Sequence, residues 1–318
     1  MHPDHLPVPT TSRRVLRVLL SAPLRLLWTL LALVAAQSAL LHLAPSVASA
    51  ANDTLPGALK NALVATAVLW GSLWLLEGKG LAKAGLGLTG APGSFARGYL
   101  LGAALLSVVT GTLALAGSYR VEGLGGGASA RALGHAALLF LLVGVFEEVL
   151  ARGIVFRLLE EAFGSVAALA ISSFLFGLAH RFNPGASWQS SLAIALEAGV
   201  LLGAAYVATR SLWLPIGLHA AWDFFEGPVY GAHISGLTLP SLLQARLSGP
   251  AWLTGGAFGP EAGLPALLWG TALGGAFFLL AQRRGQLKTP RWLRRLLRRD
   301  GRRQAMAVPK PLAPPATS

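Results

Sequence analysis

The chain has 318 residues, of which 54% are hydrophobic and only 12% are charged, and its formal net charge is +13. An average soluble domain has about a quarter of its residues charged, so this composition excludes an ordinary soluble domain. The sequence contains no cysteine, which excludes disulfides, thiolate metal sites and a cysteine nucleophile.

Several runs of roughly 18 to 22 residues with few or no charges are long enough to cross the hydrocarbon core of a bilayer as helices. We therefore predict an all-α fold, a polytopic transmembrane helix bundle of about eight spans. The predicted spans are 26–45, 57–77, 98–117, 133–153, 164–181, 190–208, 211–227 and 263–282. The corresponding regions are an N-terminal cytosolic segment (1–25), N-terminal transmembrane helices (26–131), a helical core (132–227), an exoplasmic connection rich in Gly and Pro (228–262), the last transmembrane helix (263–282) and a basic cytosolic tail (283–318).

The first span has two interpretations. The basic start "RRVLRVLL", the following apolar run and "SVASA" before Ala51 are similar to a signal peptide with its cleavage site. The apolar run from Leu26 to Ala44 is longer than the roughly 7–15 residues usual in a signal peptide. We favour a retained first helix and keep cleavage as the alternative.

The positive charge is concentrated at one end of the chain. Eleven of the 26 basic residues follow Gln282, and a basic segment next to a span is typical of a cytosolic anchor for anionic headgroups. Within this tail "RWLRRLLRR" has the pattern of a short amphipathic interfacial helix. We predict that both termini are cytosolic, that the partner of the tail is the lipid bilayer, and that no nucleic acid is bound.

The predicted spans contain ionisable residues, which are costly at membrane depth and tend to face the bundle interior or a wet cavity. In "LLVGVFEEVLARGIVF", Glu148 and Arg152 are four residues apart, so they share a helix face and are predicted to form an ion pair. Glu147 is left free to face a cavity, where it would suit general acid–base work. The alternative is that both glutamates sit at a cytosolic helix end and reach water.

Two histidines end or follow apolar runs. In "SSFLFGLAH", Phe176 and His180 are four apart and are predicted to stack on one helix face. In "SLWLPIGLHAAWDFFEG", His219 and Asp223 share a face and would orient a water, bind a cation or stabilise an oxyanion. The alternatives are an interfacial or packing histidine and a hydrogen bond that only ties helices together.

Two further acidic residues are predicted to have no catalytic role. Glu197 lies alone in "AIALEAGVLLG", and we predict that it makes a structural hydrogen bond to a neighbouring helix. Glu226 lies near the end of its segment and is predicted to be solvated.

Taken together and in this order, the three motifs resemble those of a known family, although no single motif does so alone. "EEVLAR", then "FGLAH", then "HAAWD" resembles the CPBP family, the CAAX-prenyl-protease-like and bacteriocin-processing (Abi) intramembrane proteases, over roughly 132–226. The resemblance implies a helical bundle with a conical interior cavity in which a peptide bond is hydrolysed. The expected function is thus an intramembrane endopeptidase with a membrane-associated, prenylated or bacteriocin-like peptide or protein as substrate.

The resemblance also implies roles for individual residues. Glu147 would be the general base and later proton donor, with His180 assisting, while His219 and Asp223 would stabilise the oxyanion or hold the water. Glu148, Arg152 and Phe176 would support them. The family more often has asparagine at the position of Asp223, with aspartate as a known alternative, and an ionised aspartate cannot donate a hydrogen bond to an oxyanion.

Metal dependence stays open between two mechanisms. Glu147, His180, His219 and Asp223 would make a plausible first shell for zinc, but their spacing is not that of an H-E-x-x-H helix. We favour metal-free activation of water with no cofactor required. The competing functions are a proton- or ion-coupled transporter and a catalytically idle membrane scaffold. Composition points to a multi-pass protein of a bacterial inner membrane.

One feature conflicts with the predicted spans. An outward-running fifth span places His180 near the exoplasmic side, whereas the glutamates lie at the cytosolic end of the fourth. Glu147 and His180 meet only if the fourth helix extends past Phe156, which places Glu147 nearer the middle of the membrane, or if the fifth helix is tilted or shifted.

Overall fold

The structure is a computed structural model that describes residues 21–49, 51, 53–126 and 129–290. The predicted interfacial helix of the basic tail and most of the cytosolic N-terminal segment lie outside these residues.

The described part of the chain is a helical bundle with one small two-stranded antiparallel sheet. In chain order the helices are α1 (Ala22–Leu43), α2 (Leu55–Glu77), α3 (Ala91–Leu115), α4 (Ala130–Glu148), α5 (Arg157–Phe163), α6 (Ser165–Ala179), α7 (Trp188–Ile194), α8 (Val200–Thr209), α9 (Trp213–Phe224) and α10 (Leu264–Arg283). Wider π-helical turns occupy Val149–Phe156, Ala195–Gly199 and Phe225–Val229. Single turns lie at Pro45–Ala48, Leu81–Ala84, His180–Phe182, Ala251–Thr254 and Pro260–Ala262.

Among the described residues six helical segments are long and apolar enough to cross a membrane. They are Ala22–Leu43, Leu55–Glu77, Ala91–Leu115, Ser165–Phe182, Trp188–Thr209 and Leu264–Arg283. The predicted membrane bundle is confirmed, but the count of about eight spans is wrong. Helix α9, in the predicted span 211–227, has only 12 residues before its π turn, about 18 Å of rise. The predicted span 133–153 is part of a longer helix, and Glu147, Glu148 and Arg152 interrupt its apolar sequence.

Local chemistry explains where several helices begin and end. Thr54 caps α2 by accepting a hydrogen bond from the backbone N–H of Gly57, and α2 ends at Gly78 in the left-handed conformation. Ser129 caps α4 by accepting from the N–H of Ala132. Such caps satisfy backbone groups that a helix end otherwise leaves without partners.

One continuous helical path runs from Ala130 to Phe163 and contains both glutamates. Helix α4 passes through the π turn Val149–Phe156 directly into α5. Glu147 therefore lies near the middle of the path rather than at a helix end. The extension past Phe156 is confirmed, and it removes the conflict between the glutamates and His180.

Helices α3 and α9 pack with their backbones in contact. A Cβ atom added to Gly102 would collide with the carbonyl oxygen of Leu218, and one added to Gly217 would collide with that of Phe95. Only glycine permits this approach. The contact holds the short helix α9, and with it His219, against a long spanning helix.

The connection after α9 is more ordered than the predicted Gly/Pro-rich loop. Strand β1 (Tyr119–Leu124) pairs antiparallel with β2 (Leu243–Leu247), with Tyr119 opposite Leu247. A tight turn brings Ile234 and Leu237 together as a bridge. At its tip Ser235 and Gly236 have φ of 48° and 79°. This connection covers one end of the interior cavity described below.

Candidate active site

Glu148 and Arg152 form the predicted ion pair deep in the bundle. Arg152 Nη1 donates to Glu148 Oε1 at 2.7 Å, and both side chains are buried. Arg152 Nη2 donates to the carbonyl oxygens of Ala198 and Gly199, both at 3.2 Å. These carbonyls belong to or border the π turn Ala195–Gly199, where helical hydrogen bonding is irregular. One guanidinium thus neutralises Glu148 and ties two helical paths together.

His219 is oriented by the same glutamate. Its Nδ1 lies 3.0 Å from Glu148 Oε1. Because Glu148 also accepts from Arg152, it is a carboxylate, and the hydrogen bond requires His219 Nδ1 to donate. The other ring nitrogen, Nε2, faces Glu147 Oε2 at 3.8 Å and Asp223 Oδ2 at 3.6 Å. The predicted His219–Asp223 face is confirmed.

His180 approaches the same carboxylate from the end of α6. Its Nδ1 lies 2.9 Å from the carbonyl oxygen of Phe176, so Nδ1 carries the hydrogen and Nε2 of a neutral ring is an acceptor. Nε2 lies 3.9 Å from Glu147 Oε2. The predicted stacking is confirmed, with the rings of Phe176 and His180 4.7 Å apart.

The ring of Phe176 contacts three of the polar side chains at once. The guanidinium carbon of Arg152 lies 4.4 Å from the ring centroid, a cation–π contact. The ring of His219 meets it edge-on at 6.3 Å. Phe176 therefore packs against Arg152, His180 and His219 at the same time.

Glu147 lacks the close ion pair and the histidine hydrogen bond that hold Glu148 in place. Its Oε2 is buried and accepts no hydrogen bond from the described residues. The side chain is 25% exposed, and it lines a cavity of about 440 Å³ together with His180, His219 and Asp223. A second cavity of about 430 Å³ also reaches Glu147 and His180, between α2, α4 and α6. The carboxylate therefore faces interior space from two directions.

The part of the chain that carries these motifs matches the model of a known protein family. Residues 129–225 match the family model described as Rce1-like, "Type II CAAX prenyl endopeptidase Rce1-like". The match covers less than a third of the chain, and these residues are similar to that family. The resemblance of the three motifs to the CAAX-protease-like CPBP family is thereby confirmed. No curated protein and no solved structure matches the chain.

The part of the chain that matches this protease family lies in a bundle with six helical segments, among the described residues, that are long and apolar enough to cross a membrane. All three predicted motifs converge: Glu147, His180, His219 and Asp223 meet at one end of the larger cavity. Glu148, Arg152 and Phe176 lie behind them, in the predicted supporting positions.

The structural interpretations of two other acids, Glu226 and Glu197, are wrong. Glu226 is 1% exposed rather than solvated, because it accepts from Trp222 Nε1 at 2.8 Å and from the backbone N–H of Glu261 at 2.9 Å. Glu197 is also 1% exposed, but its Oε2 has no hydrogen-bond partner among the described residues. Glu197 lies in the π turn Ala195–Gly199 and is among the residues that line the larger cavity.

Several polar residues that line the larger cavity were not singled out from the sequence. Among them are Asp53, Ser235 and Glu261. Glu261 Oε1 accepts from the backbone N–H and the hydroxyl of Ser235 at 2.6 and 2.8 Å, which fixes the tight turn. Burial raises the pKa of the Glu261 carboxyl above its ordinary value. All three residues lie in connections whose composition predicts loops. Gly236, which has a positive φ and packs against the carbonyl oxygen of Pro184, indicates an ordered turn there.

The four predicted zinc donors do not form a recognisable metal site. The described residues contain no group of three or more His, Asp or Glu side chains arranged to hold a metal ion. His219 Nδ1 and Glu148 are already bound to each other. Nε2 of His180 and of His219, Oε2 of Glu147 and Oδ2 of Asp223 are the donors that face one another across 3.6–3.9 Å. Metal dependence stays a prediction.

Proposed function

We propose that this protein is an intramembrane endopeptidase that hydrolyses a peptide bond of a membrane-associated substrate with a water activated by Glu147 and His180. The observation that carries the proposal is the placement of Glu147 Oε2 between Nε2 of His180 and Nε2 of His219, at 3.9 and 3.8 Å, on a cavity wall. The Rce1-like match supports the reaction class.

The distances suit a bridging water. A gap of 3.8–3.9 Å is too long for a direct hydrogen bond, and a polar contact of that length is commonly bridged by water. His180 is held with Nδ1–H on the Phe176 carbonyl, so its Nε2 lone pair can accept from the same water that Glu147 deprotonates. A carboxylate and a neutral imidazole thus share one nucleophile.

In the proposed reaction Glu147 first accepts a proton and later gives it back. Glu147 takes a proton from water, and the water oxygen forms a bond to the carbonyl carbon of the substrate. His219, when Nε2 carries a proton, donates to the resulting oxyanion. Glu147 then gives its proton to the amide nitrogen as the C–N bond breaks. Such acid–base work is worth about 10²–10⁴-fold in rate.

Asp223 has a positioning role in this proposal. Its Oδ2 lies 3.6 Å from His219 Nε2 on the same face of α9. An ionised carboxylate donates no hydrogen bond, so it would act on the oxyanion through His219. Glu148, paired with Arg152, accepts from the other ring nitrogen and orients the ring, which must be an imidazolium to donate from Nε2 as well.

We further propose that no metal or other cofactor is required and that the protein resides in a bacterial inner membrane. The substrate is a membrane-anchored peptide or protein, of the prenylated or bacteriocin-like kind. The apolar cavity between α2, α4 and α6 is a suitable channel by which an anchored chain reaches Glu147.

The test is reconstitution of the full chain in lipid vesicles with a panel of membrane-anchored peptides. Cleavage is expected for wild type and for Glu122→Gln, a carboxylate exposed on β1, and not for Glu147→Ala. Cleavage by Glu147→Ala at the wild-type rate would overturn the assignment. Inhibition by a chelator that zinc reverses would replace the metal-free mechanism by a metal-dependent one.

A further inference from the structure

The wall of the larger cavity has a marked imbalance of charge. Its ionisable lining among the described residues comprises five carboxylates and two histidines, with no lysine or arginine, although the chain as a whole has a net charge of +13. The acids are Asp53, Glu147, Glu197, Asp223 and Glu261. A ligand bound in this cavity faces carboxyl groups on several sides.

Glu197 is one of the three cavity acids that the proposed reaction leaves unused, with Asp53 and Glu261. It is 1% exposed, and its Oε2 has no hydrogen-bond partner among the described residues. The nearest guanidinium, that of Arg152, is engaged by Glu148 and the two backbone carbonyls. A buried carboxylate without a partner is costly, so its presence on a cavity wall indicates a ligand that completes it.

The carboxyl group of Glu197 packs against a glycine of α10. A Cβ atom added to Gly270 would lie 2.9 Å from Glu197 Oε2, so α10 offers this oxygen no side-chain partner at that position. Glu261 is anchored by Ser235 through Oε1 alone. The two acids come from separate segments, the π turn after α7 and the turn before α10.

We infer that Glu197 and Glu261 form a subsite for a cationic side chain, lysine or arginine, that lies near the scissile bond of the substrate. This inference rests on the proposed endopeptidase function and specifies its substrate. The chemistry is a charge-assisted hydrogen bond from an ammonium or guanidinium to a desolvated carboxylate. The same wall disfavours a substrate acid at that position.

The test uses anchored peptides that are identical except for lysine or norleucine at each position around the cleaved bond. The full chain in lipid vesicles is expected to prefer lysine at one position by at least about tenfold in kcat/KM. Glu197→Gln is expected to reduce that ratio to near one, and Glu261→Gln to reduce it less.

Glu226→Gln is the matched control. Glu226 is an equally buried carboxylate whose oxygens are held by Trp222 and by the backbone of Glu261, and it does not line the cavity. The variant should retain the wild-type preference. A preference that Glu197→Gln leaves unchanged, or no preference for lysine at any position, would overturn the subsite.

Binding separates this inference from the proposed function. Fluorescence anisotropy of the labelled lysine and norleucine peptides is measured with Glu147→Gln and with Glu147→Gln/Glu197→Gln. The subsite requires tighter binding of the lysine peptide by the first protein and loss of that difference in the second. If the wild type cleaves no peptide while this difference holds, only the endopeptidase proposal fails; equal binding of both peptides refutes the subsite.

Discussion

Glu147 and His180 lie on helical segments that approach each other only in the folded bundle, yet their Oε2 and Nε2 atoms are 3.9 Å apart. The contact exists because α4 continues through a π turn into α5 and because His180 closes α6. The adjacent Glu148 points to Arg152 and His219 instead. Two neighbouring glutamates thus have different surroundings and different expected functions.

Substitution of each glutamate by glutamine should separate stability from activity. Glu148→Gln leaves Arg152 as a buried charge without its counterion, and the free energy of unfolding should fall by about 3–5 kcal/mol. Glu147→Gln removes no ion pair with an arginine and should unfold close to wild type while cleavage is lost. Unfolding in detergent, followed by heat or denaturant, measures both. Equal destabilisation by the two variants would contradict the assignment.

Asp223→Asn and Asp223→Ala should differ in activity. Asparagine keeps an oxygen near His219 Nε2, so cleavage should stay within about threefold of wild type, whereas alanine frees the ring and should lower kcat by about tenfold. Steady-state cleavage of one anchored peptide measures the difference. An asparagine variant as inactive as Glu147→Ala would show that the charge of Asp223 is itself required.

Close packing of α3 against α9 should be necessary for the position of His219. Gly102→Ala places a methyl group against the Leu218 carbonyl, and such overpacking costs about 1–3 kcal/mol. We expect lower stability and a loss of cleavage, because α9 must move. Gly111→Ala in the same helix meets nothing within 4 Å and is the control, expected to be neutral or slightly stabilising. Equal behaviour of the two variants would argue against the packing explanation.

Glu160 should make stability depend on pH. Its carboxylate is fully buried and accepts from Arg210, Lys288 and Ser165 at 2.6–2.9 Å. Burial alone would raise the pKa of Glu160, but these hydrogen bonds outweigh burial and hold it below its ordinary value of 4.5. The contribution to stability is then fully present above about pH 4.5 and is lost as the pH falls through the lower pKa of the folded state.

The corresponding variant is Glu160→Gln, which should lower the free energy of unfolding by about 1–3 kcal/mol at neutral pH. The difference from wild type should shrink as the pH falls below about 4.5, since wild-type Glu160 becomes protonated. Unfolding of both proteins across the acid range measures this. A difference that stays constant with pH would mean that the charge of Glu160 contributes nothing.

Local spacing was sufficient to predict three pairs of site residues but not that the pairs meet in one site. The i,i+4 relations of Glu148 with Arg152, Phe176 with His180 and His219 with Asp223 follow from helix geometry, and all three are found. The convergence of the three motifs on one cavity came from the family resemblance, since periodicity carries no information on which helices are neighbours.

The errors have a common physical origin in long-range contacts. Glu226 was predicted to be solvated because it ends a short segment, but Glu261, 35 residues later, supplies a backbone donor that lets it be buried. The π turns are equally invisible in the apolar pattern, and the turn Ala195–Gly199 contains Glu197. Span counting failed for α9 because length, not hydropathy, decides whether a helix crosses.

The most direct test of the central claim is a double-mutant cycle on Glu147 and His180, with cleavage of one anchored peptide as the readout. If both groups act on a single water, Glu147→Gln, His180→Gln and the double variant should lose similar factors, because removing either partner disables the unit. Independent factors that multiply in the double variant, or a Glu147→Gln protein that cleaves at the wild-type rate, would contradict the shared activation of water.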